Sequence, residues 1–340
     1  MRALSSTVQS KVRRPIDYRN MGSEELGSIY ESLLELHPEV HHETATFELK
    51  TAPGNERKTT GSYYTPSSLI AALLDSALDP VLEEAAGKPD PEAAILALKV
   101  LDPAVGSGHF LTAAAHRIAR RLAQIRSGDD EPSPGAIRTA LRDVIGRCVY
   151  GIDVNPMAAE LCKVSLWMEA MEPGRPLSFL DHHIVCGNSL LGTTPALIAK
   201  GIPDGAFTAL GGDDKATVKS LKKRNRDERS GQTTLFGDAA APDIVGEAAD
   251  KIAALEAAPG ETADELAAKR KLYEEATSAA EAAKLVADAW CAAFFVEKTP
   301  GAPEITTGLL RLLEGDPSGG PTETKERIRE IAAANRFLHL

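Results

Sequence analysis

The feature that most constrains the fold is residues 98–111, which read LKVLDPAVGSGHFL. An apolar run through Val100 and Leu101 is typical of a buried strand, and it stops at Asp102. Gly106 and Gly108 then permit a tight turn with a closely approached backbone. The apolar spacing beyond the turn predicts a helix, whose buried stripe is Leu111, Ala114, Ile118, Leu122 and Ile125. A strand, a glycine turn and a helix N-terminus in this order are typical of a nucleotide-type site.

Two further apolar runs also end on a polar side chain. Residues 147–156 read RCVYGIDVNP and close on Asp153, while residues 183–192 read HIVCGNSLLG and place Asn188 after the run. An acid at the end of the strand beside a glycine turn can accept both hydroxyls of a ribose, so Asp153 is the ribose candidate. The alternatives are a helix N-cap at Asp153 and a glycine turn used for packing only.

Four segments in this order resemble the successive motifs of one family. They are Thr60–Pro66 (TGSYYTP), Asp102–Leu111, Gly151–Pro156 and Gly187–Leu191. These four motifs identify the chain as similar to the N-terminal part of a gamma-class adenine-N6 DNA methyltransferase. The nearest resemblance is to the large type IIG restriction-modification enzymes and the PglX proteins of BREX phage-defence systems.

The resemblance implies an α/β fold, a Rossmann-like sheet that binds S-adenosylmethionine. In the family the Tyr-Thr-Pro segment holds the methionine end of the cofactor, the glycine turn cradles it, the second acid takes the ribose, and the third strand end borders the adenine. The cofactor-binding residues implied are Tyr64, Thr65, Pro66, Asp102, Pro103, Ala104, Gly106, Ser107, Gly108, Phe110, Asp153, Val154, Asn155, Asn188, Ser189 and Leu190.

Two departures from the family pattern bear on function. Asn188 stands where the family often has an acid, although an amide oxygen can still accept a hydrogen bond from the adenine amino group. The catalytic tetrapeptide Asn/Asp-Pro-Pro-Tyr/Phe, which ends the family's fourth strand, does not occur in these 340 residues. Arg336–Leu340 resembles the stretch shortly before that strand. We therefore expect an incomplete sheet, no catalytic residue in this chain, and completion by later sequence or by a partner chain.

The remaining sequence divides by composition. We expect an N-terminal helical region at 1–60, a cofactor-binding core at 61–199, a loop-rich basic excursion at 200–245 and a helical region at 246–340. Apolar spacing predicts that the helix from 67 buries Leu69, Leu73, Leu74 and Leu78, and that the helix after Pro156 buries Leu161, Val164, Met168 and Met171. Within the excursion, Lys222, Lys223 and Arg224 belong to a basic run that can contact DNA phosphates, or can equally be a solvated helix face.

Composition excludes several classes of protein. The net charge of −11 argues against a surface that is basic throughout, and no apolar stretch is long enough to span a bilayer. Four scattered cysteines without paired spacing predict buried free thiols in a cytoplasmic protein, and no metal site is predicted. The functional hypotheses are a DNA adenine methyltransferase part, a non-catalytic cofactor- or nucleotide-binding module, and a methyltransferase fragment that acts on RNA or protein.

Overall fold

The computed structural model describes residues 65–231 and 244–339, together with the short segments 6–9, 12–15, 21–22, 25–27, 29, 36–41, 44 and 46–51. The chain forms two compact units. The first contains residues 1–151 and 157–173, and the second contains residues 152–156 and 174–340. In the described part of the chain, no helix is both long enough and apolar enough to cross a membrane.

The N-terminal region of the first unit contains two β-hairpins in addition to helical residues. Strands β1 (Ser6–Gln9) and β2 (Val12–Pro15) pair antiparallel, as do β3 (Leu36–His41) and β4 (Thr46–Thr51). Among residues 25–29, the described ones are helical, as the apolar spacing there predicts. Residues with high β-propensity, such as Val8 and Phe47, occur in these hairpins.

The core of the first unit is a buried helix next to a short strand. The elements are α1 (Ser67–Ala77), α2 (Asp79–Ala86), α3 (Pro91–Leu96), β5 (Val100–Asp102), α4 (His109–Ser127), α5 (Pro134–Ile145), the start of β6 (Val149–Asp153) and most of α6 (Pro156–Glu169). Leu111, Ile118 and Leu122 of α4 are fully buried, as predicted. Strands β5 and β6 run parallel, with Asp102 opposite Gly151.

Two predicted helix faces were only partly correct. In the first, Leu74 and Leu78 are buried as predicted. On α1, Ile70 and Leu74 are buried while Leu69 and Leu73 are at least half exposed. On α6, Ala158, Ala159, Cys162 and Leu166 are buried, whereas Val164 and, just beyond the helix, Met171 are exposed. Both helices carry apolar residues on more than one face, so spacing alone could not tell which face packs inward.

Ion pairs from α4 connect the helices of the first unit. Arg117 contacts Asp75 and Asp79, at 2.6 and 2.8 Å, and Arg126 contacts Glu92 and Asp143. Hydrogen bonding to Asp75 is the main reason that the pKa of Arg117 is raised. These pairs fix the helix that follows the glycine turn against α1, α2, α3 and α5.

The second unit is mainly helical. After the end of β6 come β7 (Ile184–Cys186), α7 (Pro195–Ile198), a 3₁₀ turn (Asp204–Phe207), α8 (Lys215–Arg229), α9 (Ile244–Ala257), α10 (Ala263–Ala292), α11 (Thr307–Gly315) and α12 (Thr322–Asn335). Strand β6 lies between β5 and β7 in one three-stranded sheet. The apolar core includes Phe207, Leu221, Leu310 and Ile328.

The four cysteines are free, as predicted, but only three are buried. Burial raises the pKa of Cys148 to about 11 and is also the main reason that the pKa of Cys291 is raised to about 12. Cys186 is exposed at the end of β7, where Arg336 donates to its sulfur at 3.2 Å. The prediction of burial fails at Cys186 because a strand's last residue extends beyond the packed layer.

Candidate functional site

In the first unit, the site begins where β5 ends at Asp102. The carboxylate oxygen Oδ1 of Asp102 accepts a hydrogen bond from the Ala104 N–H at 3.0 Å, and the Gly108 N–H donates to the Val105 carbonyl oxygen at 2.9 Å. The chain thus turns twice within seven residues before α4 starts at His109. Among the described residues no side chain caps the α4 N-terminus, whose partial positive charge suits a polar or anionic ligand.

The two glycines of this turn are required for different reasons. Both have positive φ angles, 55° at Gly106 and 90° at Gly108, which L side chains adopt at a cost. A Cβ at Gly108 would lie 2.8 Å from the sulfur of Cys162 in α6, so this glycine lets the turn pack against that helix. A Cβ at Gly106 would meet no described atom within 4 Å. Gly106 is therefore required for its backbone angle rather than for close packing against a described residue.

The other predicted residues of the first unit differ in burial. Pro66 precedes α1 and is exposed, Thr65 is half-buried, and Tyr64 lies outside the described residues. Phe110 is half-buried and, with Asp102 and Pro103, lines a largely apolar cavity of about 390 Å³ along β5. Because β5 is an edge strand in the described sheet, this cavity runs beside a strand with only one neighbour.

Sequence reasoning missed a contact of the turn with the N-terminal segment. A Cβ at the buried Gly27 would lie 2.6 Å from Oγ of Ser107, so this glycine allows the N-terminal helical stretch to approach the turn closely. The available signal was a glycine inside a predicted helix, which is unfavourable unless close packing requires it.

In the second unit, Asp153 and Asn188 repeat the local geometry of Asp102. Oδ1 of Asp153 accepts from the Asn155 N–H at 2.7 Å, and Oδ1 of Asn188 accepts from the Leu190 N–H at 3.0 Å. The backbone joins the two segments, because the Gly187 N–H donates to the Asp153 carbonyl oxygen at 2.9 Å. Each predicted polar residue therefore closes a turn with the N–H two residues onward.

This turn by itself does not identify a ligand site. The loop residues Asp129 and Asp316 make the same hydrogen bond, to the N–H groups of Glu131 and Ser318. An ionised carboxylate has about four acceptor positions, so a turn bond of this kind uses only part of its accepting capacity. What sets Asp102, Asp153 and Asn188 apart is their position at the carboxyl ends of strands, where α/β sheets bind ligands.

A segment near the end of the chain lies along the residues that follow β7, which the sequence did not indicate. The Asn188 N–H donates to the Arg336 carbonyl oxygen at 2.7 Å, and Asn188 forms a parallel bridge with Phe337. A side chain at Gly192 would overlap the Leu338 carbonyl oxygen, and one at Gly187 would meet the Leu338 side chain. The only sequence signal was the pair of glycines around Asn188.

His339 fixes this segment to α10. Its Nε2 lies 2.8 Å from Oδ1 of the buried Asp288, and its Nδ1 accepts from the Thr193 N–H at 3.3 Å. Both contacts suit one neutral tautomer with the proton on Nε2. The geometry at Asn188 thus depends on a histidine 151 positions along the chain.

The basic run has a geometry of its own within the second unit. Lys223 is exposed, Lys222 is partly buried, and Arg224 pairs with Glu228 at 2.8 Å and Glu304 at 2.5 Å. The hydrogen bond to Glu228 is the main reason that the pKa of Arg224 is raised. The three residues therefore have different surroundings, and their contact with DNA stays a prediction. In the described ranges no group of histidine, cysteine or acidic residues has the arrangement of a metal site.

Comparison with known proteins finds similarity over the segment that carries these motifs. Residues 23–191, just under half of the chain, match the family model described as N-6 DNA Methylase. No solved structure matches the chain at a significant level.

Two curated proteins are similar over parts of the chain. A protein from Methanocaldococcus jannaschii, named as a type II restriction enzyme and methyltransferase, is 32% identical over 107 residues, which are 28% of this chain and 9% of that protein. The adenine-specific methyltransferase PglX from Streptomyces coelicolor is 30% identical over 115 residues, which are 34% of this chain and 8% of that protein. The matched regions thus span less than a tenth of either relative.

Proposed function

Residues 23–191 belong to the N-6 DNA methylase family, and from this premise we propose that the chain is the S-adenosylmethionine-binding part of a site-specific adenine-N6 DNA methyltransferase. The system served would be restriction-modification, in line with the name of the first relative, or phage defence, as the motif resemblance to PglX proteins of BREX systems implies. The observation that carries the proposal is the glycine turn after β5, in which Asp102 and the positive-φ residues Gly106 and Gly108 lead directly into the α4 N-terminus.

The residues fit the cofactor in chemical type. The α4 N-terminus and the Gly106–Gly108 backbone suit the carboxylate end of an amino acid, and Asp153 suits the two ribose hydroxyls. Asn188 can accept a hydrogen bond from the adenine amino group through its amide oxygen, which has two lone pairs. When bound, S-adenosylmethionine supplies the methyl group. The side chains named here would hold and orient it, which lowers the entropic part of the barrier.

The target adenine requires groups from elsewhere. An amino group inside duplex DNA cannot reach the cofactor, so the base must leave the stack and be gripped in a pocket. In the family, the Asn/Asp-Pro-Pro-Tyr/Phe tetrapeptide does this, and the 340 residues contain no such sequence. We therefore propose that DNA methylation needs a further catalytic and target-recognition portion, either in the same polypeptide or in a partner chain. The edge position of β5 agrees with a sheet that can accept another strand.

Calorimetric titration with S-adenosylmethionine tests the proposal. We expect Asp153→Ala to weaken binding by about 1–3 kcal/mol, because paired hydroxyls lose a charged acceptor. Asp153→Asn keeps an oxygen that can accept the Asn155 N–H but loses the charge, and should also weaken binding.

Asp129→Ala is the matched control, since it removes the same kind of turn hydrogen bond from a loop. Equal affinities for the wild type and Asp153→Ala would remove Asp153 from the site. No measurable affinity in the wild type would overturn the proposed function. Binding of S-adenosylmethionine with methyl transfer to RNA or protein, rather than to DNA, would favour the alternative substrate classes.

A further inference from the structure

The seven cations of α8 fall into two groups that the sequence does not distinguish. The arginines are all engaged within the second unit. Arg224 pairs with Glu228 and Glu304, Arg226 pairs with Asp204, and Arg229 contacts Asp204 at 3.1 Å and the Ile202 carbonyl oxygen. The hydrogen bond from Arg226 is the main reason that the pKa of Asp204 is lowered. The arginines therefore fasten α8 to the rest of the unit.

Three lysines form the second group. Lys215, Lys219 and Lys223 are exposed and follow one another at intervals of four residues, so they share one face of the helix. Among the described residues, none of the three has a carboxylate within ion-pair distance. Lys222 sits close enough to Asp204 to contribute to its lowered pKa, and so lies toward the paired side. We name Lys215, Lys219 and Lys223 the lysine stripe.

The inner face of α8 holds the lysine stripe in one orientation. Val218 and Leu221 are buried, and Asn225 is fully buried. The Asn225 amide donates to the Ile202 carbonyl oxygen at 2.8 Å and accepts from both the backbone N–H and the hydroxyl of Thr307. Rotation of the helix would break these buried bonds, so the stripe is presented outward on a rigid support.

Acids near the start of α8 have other roles. Asp214 caps the helix by accepting from the N–H and hydroxyl of Thr217, and Asp213 accepts from the N–H groups of Lys298 and Leu210. Cations on two other helices of the unit have acidic neighbours on their own helix, such as Lys271 with Glu275 and Arg327 with Glu330. By contrast, Lys215, Lys219 and Lys223 form no such ion pair among the described residues, although Asp227 follows Lys223 by four positions on the same helix.

We propose that the lysine stripe contacts the phosphate backbone of the duplex DNA substrate. The proposal rests on the proposed function, which makes duplex DNA the substrate, and adds the surface that binds it. Eight residues of helix place the outer lysines about 12 Å apart, a length over which duplex DNA carries about seven phosphate charges. Lysine is a point charge on a flexible stem, suited to phosphate contact without base readout. The stripe therefore supplies affinity but no sequence preference.

The test is the salt dependence of duplex binding by the full 340-residue chain, measured by fluorescence anisotropy with a mixed-sequence duplex. The variant K215Q/K219Q/K223Q should show a slope of log K against log salt that is shallower by up to about 2.7. At 0.1 M salt the affinity should fall about 8-fold if one contact is lost and about 500-fold if three are lost.

The matched control is K88Q/K200Q/K271Q, which makes the same charge change at exposed lysines outside α8. Its slope should stay close to that of the wild type. Thermal unfolding of both variants checks for misfolding, which we do not expect because all the substituted lysines are exposed. A cofactor titration of each variant reports separately on the proposed function.

The outcomes separate the two proposals. A stripe variant with the wild-type slope, or a wild-type chain with no duplex affinity, overturns the stripe as a DNA contact, whatever the cofactor titration gives. Equal losses in the stripe and control variants also overturn it, because net charge alone would then explain binding. A loss confined to RNA or anionic vesicles, with duplex binding unchanged, assigns the stripe to another polyanion and overturns the proposal.

Discussion

In the glycine turn of residues 102–108, the hydrogen bonds join residues two or three positions apart, whereas around Asn225 they join residues 23 and 82 positions apart. The turn is specified by residue type, because aspartate and glycine favour its backbone angles. The Asn225 cluster exists only once two distant segments have met. The local structure of the glycine turn can therefore be predicted from the sequence, whereas the long-range contacts of the later helical region cannot.

The largest effect is expected from a change that breaks the turn at its tertiary contact. Gly108→Val places a side chain at φ 90° and against Cys162 Sγ, so it combines backbone strain with overpacking. We expect a loss of about 2–5 kcal/mol in the free energy of unfolding. Urea denaturation followed by circular dichroism measures it.

Two further variants separate the contribution of backbone strain from that of overpacking against Cys162. Gly106→Val meets open space and should cost only the backbone term, about 1–2 kcal/mol. Adding Cys162→Ala to Gly108→Val should recover part of the loss, because the clashing sulfur is removed. Equal costs at Gly106 and Gly108, with no recovery, would show that packing against α6 does not require Gly108.

The next effect tests the long-range cluster. Asn225→Ala leaves the Ile202 carbonyl and the Thr307 N–H buried without their partner, and we expect a loss of about 2–4 kcal/mol. Asn335→Ala is the matched control, since its amide donates only to the Ile331 carbonyl four residues earlier, and should cost about 0.5–1.5 kcal/mol. Similar losses in the two variants would contradict the distinction between local and long-range support.

The smallest effect concerns pH. Donation from the Lys298 and Leu210 N–H groups lowers the pKa of Asp213 in the folded state. Its stabilising contribution is therefore fully present above the unfolded pKa of about 3.9 and is lost as the pH falls through the lower folded value.

Asp213→Ala should accordingly cost about 1 kcal/mol at pH 7, and the difference from wild type should shrink below pH 4. Denaturant midpoints measured at pH 7, 4 and 3 give the comparison. A difference that stays constant over this range would mean that the ionised carboxylate does not stabilise the fold.

The features of the site that could be predicted from the sequence are those formed by residues close together in the chain. The α4 stripe at Leu111, Ile118 and Leu122 and the parallel pairing of β5 with β6 are confirmed. Asp102, Asp153 and Asn188 were identified because apolar runs end on them, and the structure adds that each closes the same turn. Their contact with a cofactor stays a prediction, as does the role of Tyr64.

Other features could not be read from the sequence because local pattern is ambiguous there. Helix α6 is apolar on more than one face, so Val164 and Met171 were placed inside although small residues such as Cys162 pack inward. The sequence does not distinguish the seven cations of α8 from one another. The acids that pair with two of them, Asp204 and Glu304, lie outside the helix. Only the folded chain shows which charges are already neutralised.

The sequence by itself determined the glycine turn, the polar strand ends and the family of residues 23–191, because these depend on backbone preferences and residue order. Tertiary structure decided which helix faces are buried, that Arg336–His339 lies along Asn188, and that Lys215, Lys219 and Lys223 stand apart from the arginines. The physical reason is the distance along the chain between the residues that interact. A turn is stabilised by bonds within a few residues, whereas a face is buried or a charge paired only by whatever the rest of the chain brings to it.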